Sequence, residues 1–378
     1  SSVILTNGAR YCNVYWVAEG AISLGANTIM KGTLLANNAA VSAAVGCDIE
    51  GRMLTTTGAI AFGPGIISSS ACASSSVPPT WCWAEDAIAG GNEEFLDLAT
   101  NPVSGISYAV GFFSDDLSQE FAMGFNGTAD MSTPVGFSDG LVVKYDAAGN
   151  YIWAFKIGAA GEDVQIQSVD IDTDGNFYIT GMFTGTVTVQ GTATSPVLSP
   201  IVSSGGEDMF IAAYDGSGNL IWVSTGAGFG DNIGFGVSVN NTTVFVGGSY
   251  RNDITFTGLA SLTLSLVSNM EAYVAAFDIN TGNGIWARRI TSLDSAKCFG
   301  VAANETEVYA TGTFQGISAD FELPGGPFSL LNYTAGTTDI WVSSYDAITG
   351  AVNWAQQIGN TNDDEGNAIA VDPTGVYI

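Results

Sequence analysis

The densest group of potential metal ligands lies in residues 170–176, which read DIDTDGN. Asp170, Asp172 and Asp174 alternate ahead of a glycine, and Asn176 follows it. Hard oxygen ligands with this spacing can surround a Ca²⁺ ion. The glutamate that completes an EF-hand loop is missing, and the equivalent turn of the last repeat has a single acid. The motif therefore predicts either a Ca²⁺ site or a hairpin turn with surplus acids.

Other carboxylates recur at fixed positions of a longer repeat. Four aspartates each precede a turn that ends in glycine: Asp146, Asp215, Asp278 and Asp346. They could present a ring of carboxylates, but the favoured interpretation is that each caps its own turn by accepting backbone N–H bonds. Paired acids at 93–94, 162–163 and 363–365 could serve glycoside hydrolysis. No pattern brings such pairs together, so we expect no catalytic residues.

Histidine is absent and cysteine is sparse. The lack of histidine excludes a Ser-His-Asp triad and histidine-ligated zinc. The five cysteines have no metal-binding spacing. Cys72 and Cys82 enclose a polar loop, where a disulfide would staple a flexible segment. Free buried thiols are the alternative.

The charge is confined to one part of the chain. Residues 1–82 hold three acids and three bases, so the whole net charge of −28 lies on residues 83–378. Such a surface repels nucleic acid and suits divalent cations or high salt. No run of 18 apolar residues exists, so we expect no membrane insertion.

The element that must position the acidic motif is a repeat, best seen in residues 140–181. Four alternating apolar runs are separated by Gly, Asp and Asn turns, which predicts one small antiparallel sheet. Its Tyr-Asp, Gly and Trp positions return later in the chain, where Gly149 is matched with Gly218, Gly284 and Gly350. Tryptophans fall at positions 83, 153, 222, 286 and 354. A step of this length with four strands is typical of a β-propeller blade, and the tryptophans are then core between blades.

Residues 1–66 show a shorter period of 19 residues. Trp16, Leu35 and Leu54 share this step, as do two further apolar sets beginning at Ile22 and Leu24. A period of this kind predicts β-solenoid coils with these residues turned inward and small residues outward. Residues 67–82 are rich in Ser and Pro and are expected to be a linker, with the propeller following over 83–378.

The solenoid part resembles a known family. The phrases NVYW, LG, KGTLLA and EGRML between Asn13 and Phe62 are similar to the C-terminal coils of the bacterial and microbial ice-binding-like β-solenoid family. The resemblance implies a secreted or surface-displayed protein whose solenoid binds ice or serves as a structural or adhesive module. Regular outward threonines are missing, which favours the structural role.

The propeller part resembles the bacterial β-propeller repeats of large secreted surface proteins, often of Bacteroidota. The residues that carry this resemblance are 140–153 and 176–181 with their later copies. Four full Trp-to-Trp steps and a partial fifth are present, and the opening blade at Trp83 is expected to lack the strand equivalent to Leu141–Tyr145. Because a propeller needs about four to eight blades, one to four further blades are expected beyond a chain that looks truncated at both ends.

These observations predict an all-β, extracellular or cell-surface protein without enzymatic activity. Its expected role is structural or adhesive, as a segment of a large surface adhesin or as a self-associating subunit of an extracellular filament. Other surface proteins are possible partners. Alternatives are an ice- or glycan-binding module, which Ca²⁺ could assist, and, as the weakest, a propeller-based carbohydrate-active enzyme.

Overall fold

The computed structural model describes most of the chain and divides it into two compact units, Ser1–Trp81 and Cys82–Ile378. The described residues are 14–18, 20–37, 39–56, 58–68, 93–114, 135–192, 200–258, 263–316, 318–323, 326–331, 336–359, 361–372 and 374–378. All regular elements among them are strands. In this part of the chain no helix is long and apolar enough to cross a bilayer.

The first unit is a coil of parallel strands. Its strands are β1 (Tyr15–Ala18), β2 (Ile22–Leu24), β3 (Ile29–Ala36), β4 (Val41–Ala43), β5 (Asp48–Thr55), β6 (Ile60–Phe62) and β7 (Ile66–Ser68). They form two parallel sheets, in the orders β1-β3-β5-β7 and β2-β4-β6. Each turn of the chain thus lays its strands on the strands of the previous turn, as the predicted solenoid requires.

The core of this unit is a column of apolar side chains between the two sheets. In β3 every second residue points inward, so Leu34 is 1% exposed and Met30 is buried. Val41, Cys47 and Ile49 complete the same cluster from the neighbouring turns. The period-2 alternation of a strand therefore decides which residue of each coil is buried.

The predicted 19-residue step is confirmed for part of the solenoid and wrong for its first coil. Ile22 pairs with Val41, and Leu35 pairs with Leu54, each 19 residues on. Trp16, however, pairs with Leu34, an 18-residue step. The cause is the turn after β1, which has three residues where the two later turns have four. The inward orientation predicted for Leu54 is also wrong, because its side chain is 44% exposed. Trp16 is in register with the buried Leu34, although its own side chain is 42% exposed.

The second unit is built of antiparallel strands. They are β8 (Glu93–Thr100), β9 (Ser107–Phe113), β10 (Asp139–Tyr145), β11 (Tyr151–Ile157), β12 (Val164–Ile171), β13 (Phe177–Phe183), β14 (Thr186–Val187), β15 (Ile201–Val202), β16 (Asp208–Tyr214), β17 (Leu220–Ala227), β18 (Asn232–Val239), β19 (Thr243–Tyr250), β20 (Ile254–Phe256), β21 (Thr263–Leu264), β22 (Glu271–Asp278), β23 (Gly284–Ser292), β24 (Ser295–Ala303), β25 (Glu307–Gln315), β26 (Ser318–Leu323), β27 (Gly326–Leu331), β28 (Thr338–Asp346), β29 (Val352–Ile358), β30 (Ala370–Asp372) and β31 (Gly375–Tyr377).

These strands group into successive four-stranded blades. Blade 1 is β8-β9-β10-β11, blade 2 is β12-β13-β16-β17, blade 3 is β18-β19-β22-β23 and blade 4 is β24-β25-β28-β29. The hairpins β20–β21 and β26–β27 extend blades 2 and 3 at their outer strands, and β30–β31 follows blade 4. The first strand of each blade contacts the first strand of the next. An all-β chain of solenoid coils followed by propeller blades is therefore confirmed.

One sequence prediction about the blades is wrong in detail. Residues 140–181 do not form one sheet, because β10 and β11 end blade 1 whereas β12 and β13 begin blade 2. The error comes from taking tryptophan as the blade boundary, when it lies on the fourth strand. Trp83 and the stretch before it, where a strand was expected to be missing, are outside the described residues, so that expectation stays a prediction.

Candidate functional site

The acidic motif of residues 170–176 folds as a hairpin turn between β12 and β13. Asp172 Oδ1 accepts hydrogen bonds from the backbone N–H groups of Asp174 and Asn176, both at 2.9 Å. Its Oδ2 accepts from Asn176 Nδ2 at 2.8 Å and from the Tyr178 hydroxyl at 2.9 Å. Both oxygens of Asp172 therefore hold the turn itself together.

Asp170, two residues earlier, serves a different contact. Its Oδ2 accepts from the backbone N–H of Val239 at 2.8 Å, which links blade 2 to blade 3. Burial raises the pKa of this carboxyl above its usual value, against the effect of the hydrogen bonds from Ile171 and Val239. Asp174 is exposed on the far side of the turn. The motif thus splits between a turn and a blade interface.

The predicted metal and disulfide residues have different outcomes. Within the described residues, no three His, Cys, Asp or Glu side chains come together in a way that could hold a metal ion. The hydrogen bonds of Asp170, Asp172 and Asn176 favour the structural alternative, and Ca²⁺ binding stays a prediction. Cys72 and Cys82 lie outside the described residues. Cys47 and Cys298 are buried free thiols.

The four recurring aspartates cap their turns, so the favoured interpretation is confirmed. Asp146 accepts from the backbone N–H groups of Ala148 and Asn150, both at 2.8 Å. Equivalent bonds are made by the other three, Asp215, Asp278 and Asp346. The side-chain hydrogen bond from Asn150 holds the pKa of Asp146 below its usual value. In the third of these turns the glycine is Gly282 and not Gly284, because the turn is one residue longer and Gly284 begins β23.

The tryptophans join neighbouring blades, also as predicted. Trp222 Nε1 donates to the carbonyl of Ile279 in blade 3, and Trp286 Nε1 donates to Ala347 in blade 4. Their rings lie against the glycine of the next blade's turn, where a Cβ added at Gly350 would be 2.5 Å from Trp286 Cδ2. A glycine at this point is therefore required by close approach as well as by its positive φ of 68°.

A ladder of polar contacts between the inner strands was not visible in the sequence. Asp97 Oδ2 in blade 1 accepts from Ser168 Oγ at 2.6 Å and from Val169 N at 3.0 Å. Ser168 Oγ accepts from Val237 N, and Ser238 Oγ accepts from Ala303 N. Side chains of one blade thus satisfy backbone donors of the next across three successive interfaces. No recurring residue type marks these positions, so no sequence signal identifies them.

A second set missed by sequence reasoning is a buried acid near the start of every third strand. All four side chains are fully buried: Asp139, Asp208, Glu271 and Asp339. Asp208 accepts from the backbone N–H groups of Ser204 and Gly228 and from Asn232 Nδ2. Their recurrence ahead of each Tyr-Asp motif is the signal that could have revealed them. Because Asp139, Asp208 and Glu271 each accept from loop N–H groups, the loops beside these three strands have defined positions.

Blade 2 also carries a cleft of about 850 Å³. It is bounded by the hairpin β20–β21 and by the loop after β17, which contains Phe229. Polar lining residues include Asn252, Asp253 and Thr255. This feature has no counterpart in the repeating sequence pattern.

Comparison with known families bears on the first unit. Residues 1–67 match the family model described as ice-binding-like. Over these residues the N-terminal domain is similar to ice-binding-like domains. The match covers less than a fifth of the chain, so the ice-binding-like domain is one component of a repeat protein that continues as propeller blades.

The chain is also similar to other proteins at low identity. An uncharacterized WD repeat-containing protein of Acanthamoeba polyphaga mimivirus is 26% identical over 209 residues, which is 48% of this chain and 15% of that protein. Among solved structures, BamB from Moraxella catarrhalis is 13% identical with a TM-score of 0.33, covering 75% of this chain and 70% of that one. A quinohemoprotein alcohol dehydrogenase from Pseudomonas putida HK5 is 12% identical with a TM-score of 0.25, covering 70% and 36%.

Proposed function

We propose that this chain is a non-enzymatic part of an extracellular adhesin or a subunit of an extracellular filament. The proposal depends on the observation that polar side chains of the blades form hydrogen bonds within the scaffold. The aspartates of the turns and the inner-strand residues Asp97, Ser168 and Ser238 accept hydrogen bonds from backbone or hydroxyl groups of their own or the next blade. Side chains bound in this way serve the scaffold.

Charge supports an exposed position for the blades. The net charge of −28 on residues 83–378 makes the blades repel one another and other acidic surfaces. A protein displayed densely outside a cell gains solubility from such repulsion. The ice-binding-like N-terminal domain supports the extracellular location, as the family resemblance implies.

Immunogold electron microscopy on native cells tests this proposal directly. Antibodies against residues 83–378 are expected to label the outer surface of intact cells or fibres that extend from it. Negative staining of the same material separates the two forms, since a filament subunit appears as regular fibres. Label confined to the interior of sectioned cells would contradict both forms.

Ice binding is a second candidate for the N-terminal domain alone. Outward positions on its second sheet hold small residues, and the hydroxyl groups of Ser23 and Ser42 on adjacent coils are 3.1 Å apart. The domain is tested by thermal hysteresis of the purified chain. A Ser42→Tyr variant, which disrupts a flat face without entering the core, is expected to abolish any hysteresis. Hysteresis that survives in this variant would place the ice-binding face elsewhere.

A further inference from the structure

The cleft on blade 2 is a built feature outside the repeating contacts. Its floor includes Phe256, which is buried, and its walls include Ser204, Asn252 and Thr263. The loops that bound it are anchored from within, because Asp208 binds the backbone N–H groups of Ser204 and Gly228. The cleft therefore has a defined shape before any ligand enters.

Phe229 on the edge of this cleft is not explained by blade packing. The side chain is 84% exposed although a phenylalanine gains free energy from burial. In blade 1 the loop after β11 has Ala159, which follows Gly158 beside the buried Asp139. Phe229 likewise follows Gly228, whose N–H donates to the buried Asp208. The repeat thus tolerates a small residue here. An exposed aromatic ring at a cleft is available for contact with a ligand.

The polar groups of the cleft are of the kinds that bind hydroxyl groups. Thr255 and Thr263 place their Oγ1 atoms 2.9 Å apart, and both side chains are exposed. Asp253 Oδ1 accepts from Leu266 N, which fixes the position of this carboxylate. Asn252 adds an amide from a backbone with a φ of 65°, in the left-handed region that non-glycine residues rarely adopt.

Charge narrows the class of ligand. Among the described lining residues there is one carboxylate, Asp253, and neither lysine nor arginine. A phosphate, sulfate or carboxylate ligand would meet repulsion without a compensating cation. A neutral ligand with many hydroxyl groups can instead donate to Asp253 and exchange hydrogen bonds with the threonines and Asn252. Its C–H groups can lie on the negative face of the Phe229 ring.

From this geometry we infer that the cleft of blade 2 is a binding site for a neutral oligosaccharide, with Phe229 as the stacking platform. The inference rests on the adhesive form of the function proposed above and gives it a ligand class. The inference invokes no metal ion, since one acidic side chain among the described lining residues is too few to hold Ca²⁺.

The test is binding of the purified full chain to an array of neutral and acidic oligosaccharides, followed by titration calorimetry with the best neutral one. Phe229→Ala is expected to weaken binding by about tenfold, a change of about 1.4 kcal/mol. Phe229→Tyr, which keeps the aromatic face, is expected to bind within about twofold of the native chain. EDTA is expected to leave the affinity unchanged.

Leu293→Ala is the matched control, because Leu293 is a similarly exposed apolar residue in the loop before β24. It is expected to leave binding unchanged. Absence of binding to every neutral oligosaccharide at millimolar concentration would overturn the proposal, as would binding to acidic sugars alone. Equal binding by the native chain and Phe229→Ala would also overturn it. Circular dichroism confirms that each variant is folded, and the immunogold experiment tests the extracellular role independently of these outcomes.

Discussion

The solenoid and the propeller blades are both built from repeats, but neighbouring repeats are joined in different ways. In the solenoid each coil pairs with the next through parallel backbone hydrogen bonds, as in the Lys31–Glu50 register of β3 and β5. Neighbouring blades are joined by a few backbone hydrogen bonds near the strand ends, such as those from Val164 N to Ser138 O, Asn232 N to Glu207 O and Ala296 N to Met270 O. Side chains add the tryptophan rings and the inner-strand ladder to these bonds.

This difference predicts which changes each unit can withstand. Backbone pairing is available to any residue except proline, so polar side chains of the solenoid surface can vary freely. A blade interface depends on particular side chains that reach backbone groups of the next blade. We therefore expect single substitutions to uncouple blades, whereas the solenoid should respond only to changes in its core.

The largest effect is expected for Trp286→Ala in blade 3. The change removes the hydrogen bond to Ala347 and the stacking on Tyr345, whose ring centroid is 6.2 Å away. Loss of a buried tryptophan costs about 3–5 kcal/mol of unfolding free energy, as measured by denaturant titration. Ile285→Ala on the same strand is the control, because Ile285 is 41% exposed. Equal losses in the two variants would contradict a special role for the tryptophan.

Next in size is Leu34→Ala in the solenoid. Leu34 is almost completely buried, so the substitution leaves a cavity that costs about 2–5 kcal/mol. Hydrogen exchange is expected to increase in residues 20–68 and to stay unchanged in the blades. Leu54→Ala, at an exposed position of β5, should have little effect. Faster exchange throughout the blades would show that the two units do not unfold separately.

A smaller effect is expected for Ser238→Ala. The hydroxyl accepts from Ala303 N at 3.1 Å between blades 3 and 4, and its loss leaves a half-buried donor without that acceptor. The expected cost is about 1–3 kcal/mol. Ser23→Ala removes an exposed hydroxyl contact between solenoid coils and should cost less than about 0.5 kcal/mol. A cost for Ser23→Ala as large as that for Ser238→Ala would refute the distinction between the two units.

The smallest effect concerns pH. Because burial raises the pKa of Asp170, this group favours the folded state most at low pH, and that contribution is lost as pH rises through its folded pKa. The side chain of Asp170→Asn can still accept from Val239 N but does not titrate. This variant is therefore expected to lose less stability than the native chain as pH rises. Asp346→Asn should act with the opposite sign, because hydrogen bonds led by Thr349 lower the pKa of Asp346. Thermal unfolding from pH 3 to pH 7 measures how the melting temperature of each variant, relative to the native chain, changes with pH. Changes of the same sign in the two variants would contradict these assignments.

The sequence was a good guide to features that depend on short-range pattern. The all-β class, the parallel coils and the blades follow from apolar residues at regular steps, since those steps reflect strand geometry. The capping role of Asp146 was predictable because its partners, Ala148 and Asn150, are within four residues. The inter-blade position of Trp222 was predictable because it recurs once per repeat.

Features that depend on a turn being one residue shorter, or on contacts between residues distant in sequence, were not predictable. One residue fewer in the turn after β1 put Trp16 in register with Leu34, and strand alternation buried Leu34 where Leu35 had been expected. The boundary between blades was misplaced because the same runs of residues suit either division. A hairpin pattern in the sequence predicts which consecutive strands pair. It does not predict which sheet each hairpin belongs to.

The acidic motif of residues 170–176 shows both what the local sequence determines and what only tertiary packing decides. Its turn, in which Asp172 accepts from Asp174 and Asn176, was predictable from the sequence because all the partners are local. The role of Asp170 was settled by Val239, 69 residues away, and the cleft beside Phe229 by a hairpin outside the repeat. Contacts of this range arise only when the blades pack, because packing brings together groups that no local spacing relates.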